Sequence, residues 1–409
     1  MLFPYTCLIH PDARDRLRFL ETLENSSFNA YHDAISNPGQ WYHVRVNTLK
    51  ASPKSMLGIL RQNHPGWLFA TDASISEAIK VNVSGPNEIQ GLANKIEVDK
   101  FAAESIAMSA PLFAPGFMRA MNKFASGEMV SMVTRFTTSW DGQQHEVHCG
   151  NGQAMYPSNA MYKIGKGVAV ATSQSWFSSP PVQDWDEFKD GLLVDQNLPS
   201  MLAAKVLDPR EGDVVVDVCC GAGGKTTHLA QLMKNTGTIK AIDRSSKKIQ
   251  RLQERAARMG ITCVQPVTTR SERMKHVLEP IKADKVLIDP PCSALGLRLK
   301  FYIDESARDL DNYRANQERI WDNVMNAGFV VPGTRLVYCT CTITVEENEK
   351  LIERVIEKHG LKIVDPSINP GHPGIAVETL SRKEISQMIR FYPHLDDTIG
   401  FFIAVLEKE

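Results

Sequence analysis

Hydrophobic and polar positions follow three different patterns along this chain of 409 residues. The first, over residues 1–97, opens with polar segments of helical character. It continues with a short alternating strand over 42–47 and a helix over 52–62. Mixed periods of this kind predict a small α+β segment at the start of the chain.

The second pattern, over residues 98–182, is an alternation of apolar and polar residues that glycine and proline interrupt at short intervals. Stretches such as 126–133 and 164–170 show the period of two that is typical of strands. Because the turns are so frequent, the pattern predicts a small β-barrel. Residues 178–182, which include two prolines, are interpreted as a linker.

The third pattern, over residues 183–409, alternates apolar strands with amphipathic helices. Repeated strand–helix units of this length predict an α/β domain, with a parallel sheet covered on both faces. The predicted strands are 214–218, 238–242, 262–267, 285–289, 335–339 and 401–405. The predicted helices are 225–234, 246–259, 306–327 and 346–359.

Composition narrows the possible classes of protein. The 46 basic and 47 acidic residues balance, so any nucleic-acid surface has to be a local patch. Eight cysteines are too sparse for a disulfide scaffold, and no C-x-x-C pair suggests structural zinc. Residues 1–6 show no signal-peptide pattern, and no apolar run is long enough for a membrane span. We therefore expect a cytoplasmic protein without metal, in a compartment that keeps thiols reduced.

A glycine-rich segment, 219–227, follows the first strand of the third region and precedes a helix. Such a turn brings backbone N–H groups close to a ligand, and it serves NAD, ATP and S-adenosylmethionine alike. A Walker A motif is excluded, because the position that requires its first glycine holds Cys219.

An acidic residue, Asp243, ends the next strand and precedes Arg244. It is placed to bind the hydroxyls of a ribose, as acids do in dinucleotide-binding folds, or to cap the helix that begins near Ser245. Loop and acid together favour a cofactor that contains adenosine, and NAD remains open at this point.

Two cysteines, Cys292 and Cys341, follow predicted strands, in the segments Asp-Pro-Pro-Cys-Ser and Thr-Cys-Thr. Methylation of C5 of cytosine requires a thiolate that adds to C6, a carboxyl group near N3, and a second group for release. Cys341, Asp289 and Cys292 supply these types, and Lys225 is placed to lower a thiol pKa. Cysteines at buried strand ends are otherwise most often small core residues.

With these motifs the chain resembles the RsmB/Sun (NSUN) family of RNA cytosine-C5 methyltransferases, and its barrel resembles a PUA domain, as in the sixth Sun subfamily. Further family elements are Arg45–Lys50, Gln196-Asn197 with Ser200, and Arg390 with Pro393-His394. The resemblance implies a Rossmann-like S-adenosylmethionine-dependent methyltransferase domain (183–409), an inserted PUA β-barrel (98–182) and an N-terminal RRM-like α+β segment (1–97).

The resemblance also assigns roles to single residues. Cys341 would be the nucleophile, Cys292 the thiol that assists release, Asp289 the contact to the cytosine edge, and Lys225 the residue between cofactor and base. One departure is Thr268, which stands where the family has an Asp near the adenine. The residues implied for S-adenosylmethionine are Cys219, Cys220, Gly221, Ala222, Gly223, Gly224, Lys225, Asp243, Arg244, Thr268 and Asp289.

The implied partner is tRNA, bound by its acceptor stem and 3′ tail to a monomeric enzyme. Lys225, Arg298 and Lys300 are the predicted RNA contacts at the catalytic motif, and the basic residues Arg270 and Arg273 are candidates for backbone contacts. Two alternatives remain: a catalytically weak tRNA-binding scaffold of the same fold, and a cytosine-C5 methyltransferase that acts on ribosomal RNA.

Overall fold

A computed structural model describes residues 5–278 and 281–409 of the chain. Residues 1–4, which belong to the segment judged to lack a signal peptide, lie outside the described residues. The N-terminal elements are β1 (Leu8–Ile9), α1 (Pro11–Arg16), α2 (Phe28–Ile35), β2 (Trp41–Val46), α3 (Pro53–Asn63), β3 (Phe69–Thr71) and β4 (Ala78–Asn82).

The N-terminal sheet is built around β2, whose residues 43–46 are buried. Strand β4 pairs antiparallel with β2 and with β3. The helix α3 begins where sequence predicts it, because the Ser52 side chain accepts a hydrogen bond from Ser55 N and Pro53 occupies the first turn.

The second region forms a separate sheet of six strands in the order β6-β10-β9-β8-β5-β7. Bulges interrupt all four of its antiparallel pairings and raise its local twist. Its elements are β5 (Lys95–Val98), α4 (Lys100–Ile106), β6 (Leu112–Phe113), β7 (Phe117–Ala120), β8 (Met129–Thr137), β9 (Gln144–Ala154) and β10 (Val168–Ser175).

The third region carries the largest sheet and most of the helices. Its first elements are α5 (Asp186–Lys189), β11 (Leu193–Asp195), α6 (Leu198–Leu207), β12 (Val214–Val218), α7 (Gly224–Leu232), β13 (Thr238–Asp243), α8 (Ser246–Met259), β14 (Val264–Thr268), α9 (Met274–Val277), β15 (Lys285–Ile288) and β16 (Tyr302–Ile303). The remaining elements are α10 (Ala307–Asn326), β17 (Arg335–Thr340), α11 (Glu349–His359), β18 (Leu361–Ile363), α12 (Arg382–Gln387), β19 (Ile389–Phe391), α13 (Pro393–Asp396) and β20 (Phe401–Lys408).

The large sheet has eight strands, and five of them run parallel in the order β14-β13-β12-β15-β17. Neighbouring residues of β12 point to opposite faces of the sheet. Val215 packs with α6 and α7 on one face, whereas Val216 packs with α10 and α11 on the other. Both faces are therefore covered, as the near-continuous apolar strands predict.

The prediction of a purely parallel sheet is wrong at one edge. Strand β20 runs antiparallel to β17, and β18 and β19 both pair antiparallel with β20. An apolar run indicates that a strand is buried, but it does not indicate whether the strand runs parallel or antiparallel to its neighbour.

Two strands cross the predicted domain boundaries. The strand β5 pairs with β7 and β8 and so belongs to the second sheet, although the boundary was placed at residue 97. The strand β11, predicted to be part of the catalytic region, pairs with β2 and completes the N-terminal sheet.

The three regions also share their packing. Strand β1 pairs in parallel with β16, which joins the start of the chain to the catalytic region. Leu299 and Phe301, from the segment before β16, are buried in the core of the second region. Among the residues that the structure describes, no helix combines the length and apolarity needed to cross a membrane.

Candidate active site

The carboxyl ends of β12, β13, β15 and β17 meet at one edge of the large sheet, and a cavity of about 670 Å³ opens there. Its walls bring together most of the site residues that the sequence predicts. These are Cys219, Cys220, Gly221, Ala222, Gly224, Lys225, Asp243, Arg244, Asp289, Cys292 and Cys341. The edge of a parallel sheet is where this class of fold binds its ligands.

The glycine-rich loop takes its shape from three alternate residues with a positive φ angle. Cys219, Gly221 and Gly223 have φ angles of 65°, 59° and 83°. A Cβ added at Gly221 would meet no atom within 4 Å, which leaves this part of the loop open to the cavity. Helix α7 then begins at Gly224, so its first N–H groups lie beside the loop.

Asp243 both shapes the loop and faces the cavity. Its carboxylate accepts hydrogen bonds from Gly221 N at 3.1 Å and from Ser245 N at 2.8 Å. Each oxygen keeps a second lone pair, which is the geometry that a ribose diol requires. The N-cap of α8 is Ser245, whose side chain accepts from Lys248 N, so Asp243 is not the capping residue.

Asp217, which the sequence analysis did not select, lies at the floor of the same cavity. One carboxylate oxygen accepts from Thr226 Oγ1 at 2.6 Å, and Oδ1 is buried without a hydrogen-bond partner. Burial raises its pKa to about 7, against the opposing hydrogen bond from Thr226. An unused acceptor here, with the open loop and Asp243, suits an adenosine cofactor that carries an ammonium group.

Arg45 explains why the N-terminal motif belongs to the site. It is fully buried and donates to Gly224 O at 3.0 Å and to Thr227 Oγ1 at 2.9 Å, and it also contacts the Gln196 side chain. The N-terminal sheet thereby holds the first turn of α7, and with it the cofactor loop.

The two cysteines meet at the mouth of the cavity. Their Sγ atoms are 3.4 Å apart, although 49 positions separate them in sequence. Cys292 lies beyond β15 and Cys341 directly after β17, and these neighbouring parallel strands end side by side. The adjacency that parallel pairing predicts is therefore present.

Lys225 and Asp289 form an ion pair beside the sulfurs. Lys225 Nζ donates to Asp289 Oδ2 at 2.6 Å and lies 5.4 Å from the centre of the Phe401 ring. Burial disfavours the ammonium, but the Asp289 charge outweighs it and raises the Lys225 pKa. Lys225 is therefore a permanent cation next to the thiols.

The surroundings make the two thiols unequal. The hydrogen bond from Cys292 lowers the pKa of Cys341, and the Lys225 cation acts in the same direction. The same hydrogen bond raises the pKa of Cys292, and burial and the Glu347 charge add to it. The two thiols form one hydrogen-bonded pair, in which the thiolate is favoured at Cys341, beside the Lys225 cation.

Two of the residues predicted to bind the cofactor do not line this cavity. Gly223 does not line the cavity but packs against Leu252, where an added Cβ would lie 2.2 Å from Cδ1. Thr268 also lies outside the cavity; Thr269 and Arg270 line it instead, because β14 extends through Thr268.

Arg298 is a structural residue rather than an RNA contact. Its side chain is 5% exposed, and it donates to Asn37 O and Pro393 O at 3.0 and 2.9 Å and pairs with Asp397. Lys300 is half-buried and lies near Glu104. Burial raises the pKa of Glu104, and the Lys300 charge opposes that rise.

A second cavity of about 850 Å³ continues from the site toward the second region. Arg244, Pro291 and Asn316 line both cavities, so the two lie side by side next to the cysteine motif. The far wall includes Lys100, Arg135 and the exposed ring of Phe101. The described residues contain no cluster of three or more potential metal ligands.

Comparison with known proteins gives matches over all three regions. The profile of the 16S rRNA methyltransferase RsmB/F family matches residues 204–407, and that of the PUA domain matches 94–175. The tRNA (cytosine(72)-C(5))-methyltransferase of Pyrococcus horikoshii is 34% identical over 91% of both chains. The human tRNA (cytosine(72)-C(5))-methyltransferase NSUN6 is 26% identical over 91% of this chain and 90% of its own.

A solved structure is similar over the whole length. The crystal structure of NSun6 from Pyrococcus horikoshii with SFG, an analogue of S-adenosylmethionine, covers 98% of both chains with a TM-score of 0.82 and 32% identity. The fold class implied by the sequence, a Rossmann-like domain with a PUA domain, is thereby confirmed. The RRM-like character of the N-terminal segment stays a prediction.

Proposed function

The chain belongs to the RsmB/F family of S-adenosylmethionine-dependent RNA cytosine-C5 methyltransferases, and from this membership we propose that it methylates cytosine 72, near the 3′ acceptor end of tRNA. The observation that carries the proposal is the sulfur pair, 3.4 Å apart, in the wall of the cofactor cavity and next to Pro291, which also lines the cleft toward the PUA domain. One cavity accepts the cofactor, and the other leads an RNA strand to the thiols.

Cys341 is the proposed nucleophile. Its thiolate adds to C6 of the cytosine, and the electron pair of the C5–C6 double bond makes C5 nucleophilic. Lys225 stabilises the thiolate before attack, and Asp289, held by Lys225, faces the N3 edge of the base. S-adenosylmethionine, when bound, supplies the methyl group.

Cys292 is the proposed release residue. After methylation, Cys292 in its thiolate form takes the C5 proton, the C5–H electron pair restores the C5–C6 double bond, and the Cys341 sulfur departs as a thiolate. Cys292 is in contact with that sulfur and is placed to take part in the proton transfer. Cys339, on β17, is a core residue. Its Sγ contacts Asp289 Oδ1 at 3.7 Å.

The residues that hold the cofactor are proposed from the cavity walls. The open loop at Gly221 and Ala222 fits the amino-acid end, Asp217 Oδ1 accepts from its ammonium, and Asp243 accepts from the ribose. Thr269 and Arg270 border the adenine end, which the sequence analysis assigned to Thr268.

The choice of tRNA is supported by the PUA domain. A cytosine in a helix has to leave its stack before a thiol reaches C6, and the end of an acceptor stem opens at low cost. The cleft leads from the thiols to the PUA wall at Phe101, which suits a single-stranded tail. Methylation of ribosomal RNA is the second candidate, since the family profile that matches residues 204–407 is described as a 16S rRNA methyltransferase. We further propose that the enzyme acts as a monomer in the cytoplasm.

The test is transfer of a labelled methyl group from S-adenosylmethionine to total tRNA, followed by bisulfite mapping. We expect Cys341→Ala to abolish transfer, and Cys292→Ala to retain an RNA adduct that survives denaturing electrophoresis. Cys263→Ala, a buried cysteine outside the site, is the matched control and should behave as the unchanged protein.

Each alternative gives a different result. Tight tRNA binding without transfer supports a scaffold, and label on ribosomal RNA alone supports the second substrate. An adduct in Cys341→Ala rather than in Cys292→Ala would reverse the assignment of the two thiols.

A further inference from the structure

Glu347 is fully buried behind the cysteines and is not part of the proposed chemistry. It precedes α11, on the segment that returns from Cys341, and its carboxylate accepts four hydrogen bonds. The donors are Ser293 N at 3.0 Å, Gln317 Nε2 at 2.8 Å, Thr344 Oγ1 at 3.0 Å and Ser293 Oγ. All four partners are donors, which is the coordination of an ionised carboxylate.

These contacts lie next to both sulfurs. Ser293 follows Cys292 directly, and its Oγ is 2.8 Å from Oγ1 of Thr342, which follows Cys341 directly. Because Ser293 donates to Glu347, its hydroxyl accepts from Thr342. A chain from Thr342 through Ser293 to Glu347 thus joins the two residues that adjoin the cysteines.

A second connection fixes the other side of Cys292. Gln317, fully buried on α10, donates both to Glu347 Oε2 and to Pro291 O at 3.1 Å. The backbone on both sides of Cys292 is therefore tied to the same carboxylate. Cys341 is held less directly, through Thr342 and Thr344 and through its own carbonyl, which accepts from Gly296 N at 3.0 Å.

We propose that Glu347 is a positioning residue that sets the contact between the two sulfurs, and that it acts chiefly on the release of methylated RNA. The proposal depends on the proposed function, because it takes Cys341 as the nucleophile and Cys292 as the release residue. Cys341 keeps Lys225 and its place at the end of β17 without Glu347. Cys292, on a loop beyond β15, loses both of its anchors.

The expected signature is a gain of signal that misfolding does not produce. In Glu347→Ala, with both cysteines present, attack continues while release slows, so the covalent RNA adduct accumulates as it does in Cys292→Ala. We expect kcat to fall about 100-fold, the effect of an active-site displacement of about 1 Å. The KM for tRNA should fall with it, because release then limits turnover, and the Kd for S-adenosylmethionine should be little changed.

The conservative variant separates position from charge. In Glu347→Gln the amide oxygen still accepts from Ser293 N and Gln317, while its NH₂ group donates to the hydroxyls of Ser293 and Thr344, which reverse their direction. We therefore expect Glu347→Gln to restore most of kcat and to show little adduct. Glu187→Gln, at a buried carboxylate bonded to Asn63 and His64, is the control for a change remote from the cysteines.

Two milder variants test the chain even if Glu347→Ala does not fold. Ser293→Ala and Thr342→Val each remove one hydroxyl of the chain and leave Glu347 in place. Each variant should show partial accumulation of the covalent RNA adduct. Its melting temperature in the presence of S-adenosylmethionine should equal that of the unchanged protein. If folded forms of these variants release product at the rate of the unchanged protein, the proposal is overturned.

The outcome also distinguishes this proposal from the proposed function. An adduct in Cys292→Ala, with none in Glu347→Ala, overturns the role of Glu347 and leaves the chemistry intact. Absence of an adduct in Cys292→Ala itself contradicts the chemistry.

Discussion

At the scale of single residues, the site shows how two identical side chains acquire different roles. The Glu347 carboxylate acts on both thiols, whereas the Lys225 cation acts on Cys341. A charge nearby changes the cost of ionising a thiol, so a difference of neighbours becomes a difference of function. Lys225 lies at the start of α7, far from either cysteine in sequence.

Asp217 gives a prediction about pH. Its pKa is about 7 in the folded protein, because of burial, and about 3.9 in an unfolded chain. The folded form therefore holds its proton where the unfolded form has lost it. Stability associated with this group is present below pH 4 and falls as pH rises toward 7.

We expect Asp217→Asn, which cannot ionise, to avoid this loss. Relative to the unchanged protein, the variant should gain up to about 3 kcal/mol of unfolding free energy between pH 5 and pH 8. Urea unfolding of both proteins without cofactor at the two pH values measures the change. A difference between the proteins that is the same at both pH values would contradict a raised pKa.

The position of a site residue could be predicted from the sequence only where a motif fixes it. Cys292, Cys341, Asp289 and Lys225 do meet, because each follows a strand of one parallel sheet. Arg298 was misassigned, since a basic residue next to a catalytic motif looks exposed. Its partners Asn37 and Asp397 lie at opposite ends of the chain, and no local pattern shows them.

At the scale of elements, the turn between β12 and α7 depends on glycines for two separate reasons. Gly221 and Gly223 both have positive φ, but only Gly223 is in tight contact with α8. Gly221 is required for its positive φ angle alone. Gly223 is required for its positive φ angle and also because Leu252 leaves no room for a Cβ atom.

Alanine substitutions should separate these needs. Gly221→Ala should cost about 1 to 2 kcal/mol, the price of a left-handed alanine. Gly223→Ala should cost a further 1 to 3 kcal/mol or so, because its Cβ overlaps Leu252 and overpacking adds strain. Chemical unfolding measures both values, and similar losses in the two variants would show that Leu252 moves aside freely.

Prediction of the elements from sequence succeeds where the signals are local. Helix α8 has the predicted bounds, since Ser245 caps its start and Gly260, with φ of 75°, ends it. Strand β14 begins two residues later than predicted and ends one residue later, at Thr268. For this reason the residue that follows the strand and lines the cavity is Thr269, whereas the sequence predicts Thr268. A strand end has no capping residue, so its pattern leaves such small shifts open.

At the scale of the whole molecule, the PUA domain is attached to the catalytic domain by packing as well as by the chain. Phe301, from the catalytic region, is fully buried in the PUA core, with its ring centre 5.3 Å from that of Trp176 and 5.8 Å from that of Tyr5. Because of this interlocking, a boundary drawn along the sequence does not separate the packing of the two domains.

We expect Phe301→Ala to cost about 3 to 5 kcal/mol, as for other large deletions in a core. The loss should appear in calorimetry as a PUA transition that separates from the main one and melts earlier. Phe113→Ala, at a phenylalanine of the same domain that is 52% exposed, is the control and should stay within about 0.5 kcal/mol. A lower but still single transition in Phe301→Ala would instead indicate one cooperative unit.

The pairing of β1 with β16 has a consequence for biosynthesis. Leu8 leaves the ribosome long before its partner Tyr302, which is made only after the PUA domain is complete. Phe301, which fills the PUA core, is translated at the same late point. Both the leading strand and the inserted domain therefore wait for one short stretch of nascent chain, and we expect their apolar surfaces to need a chaperone until it emerges.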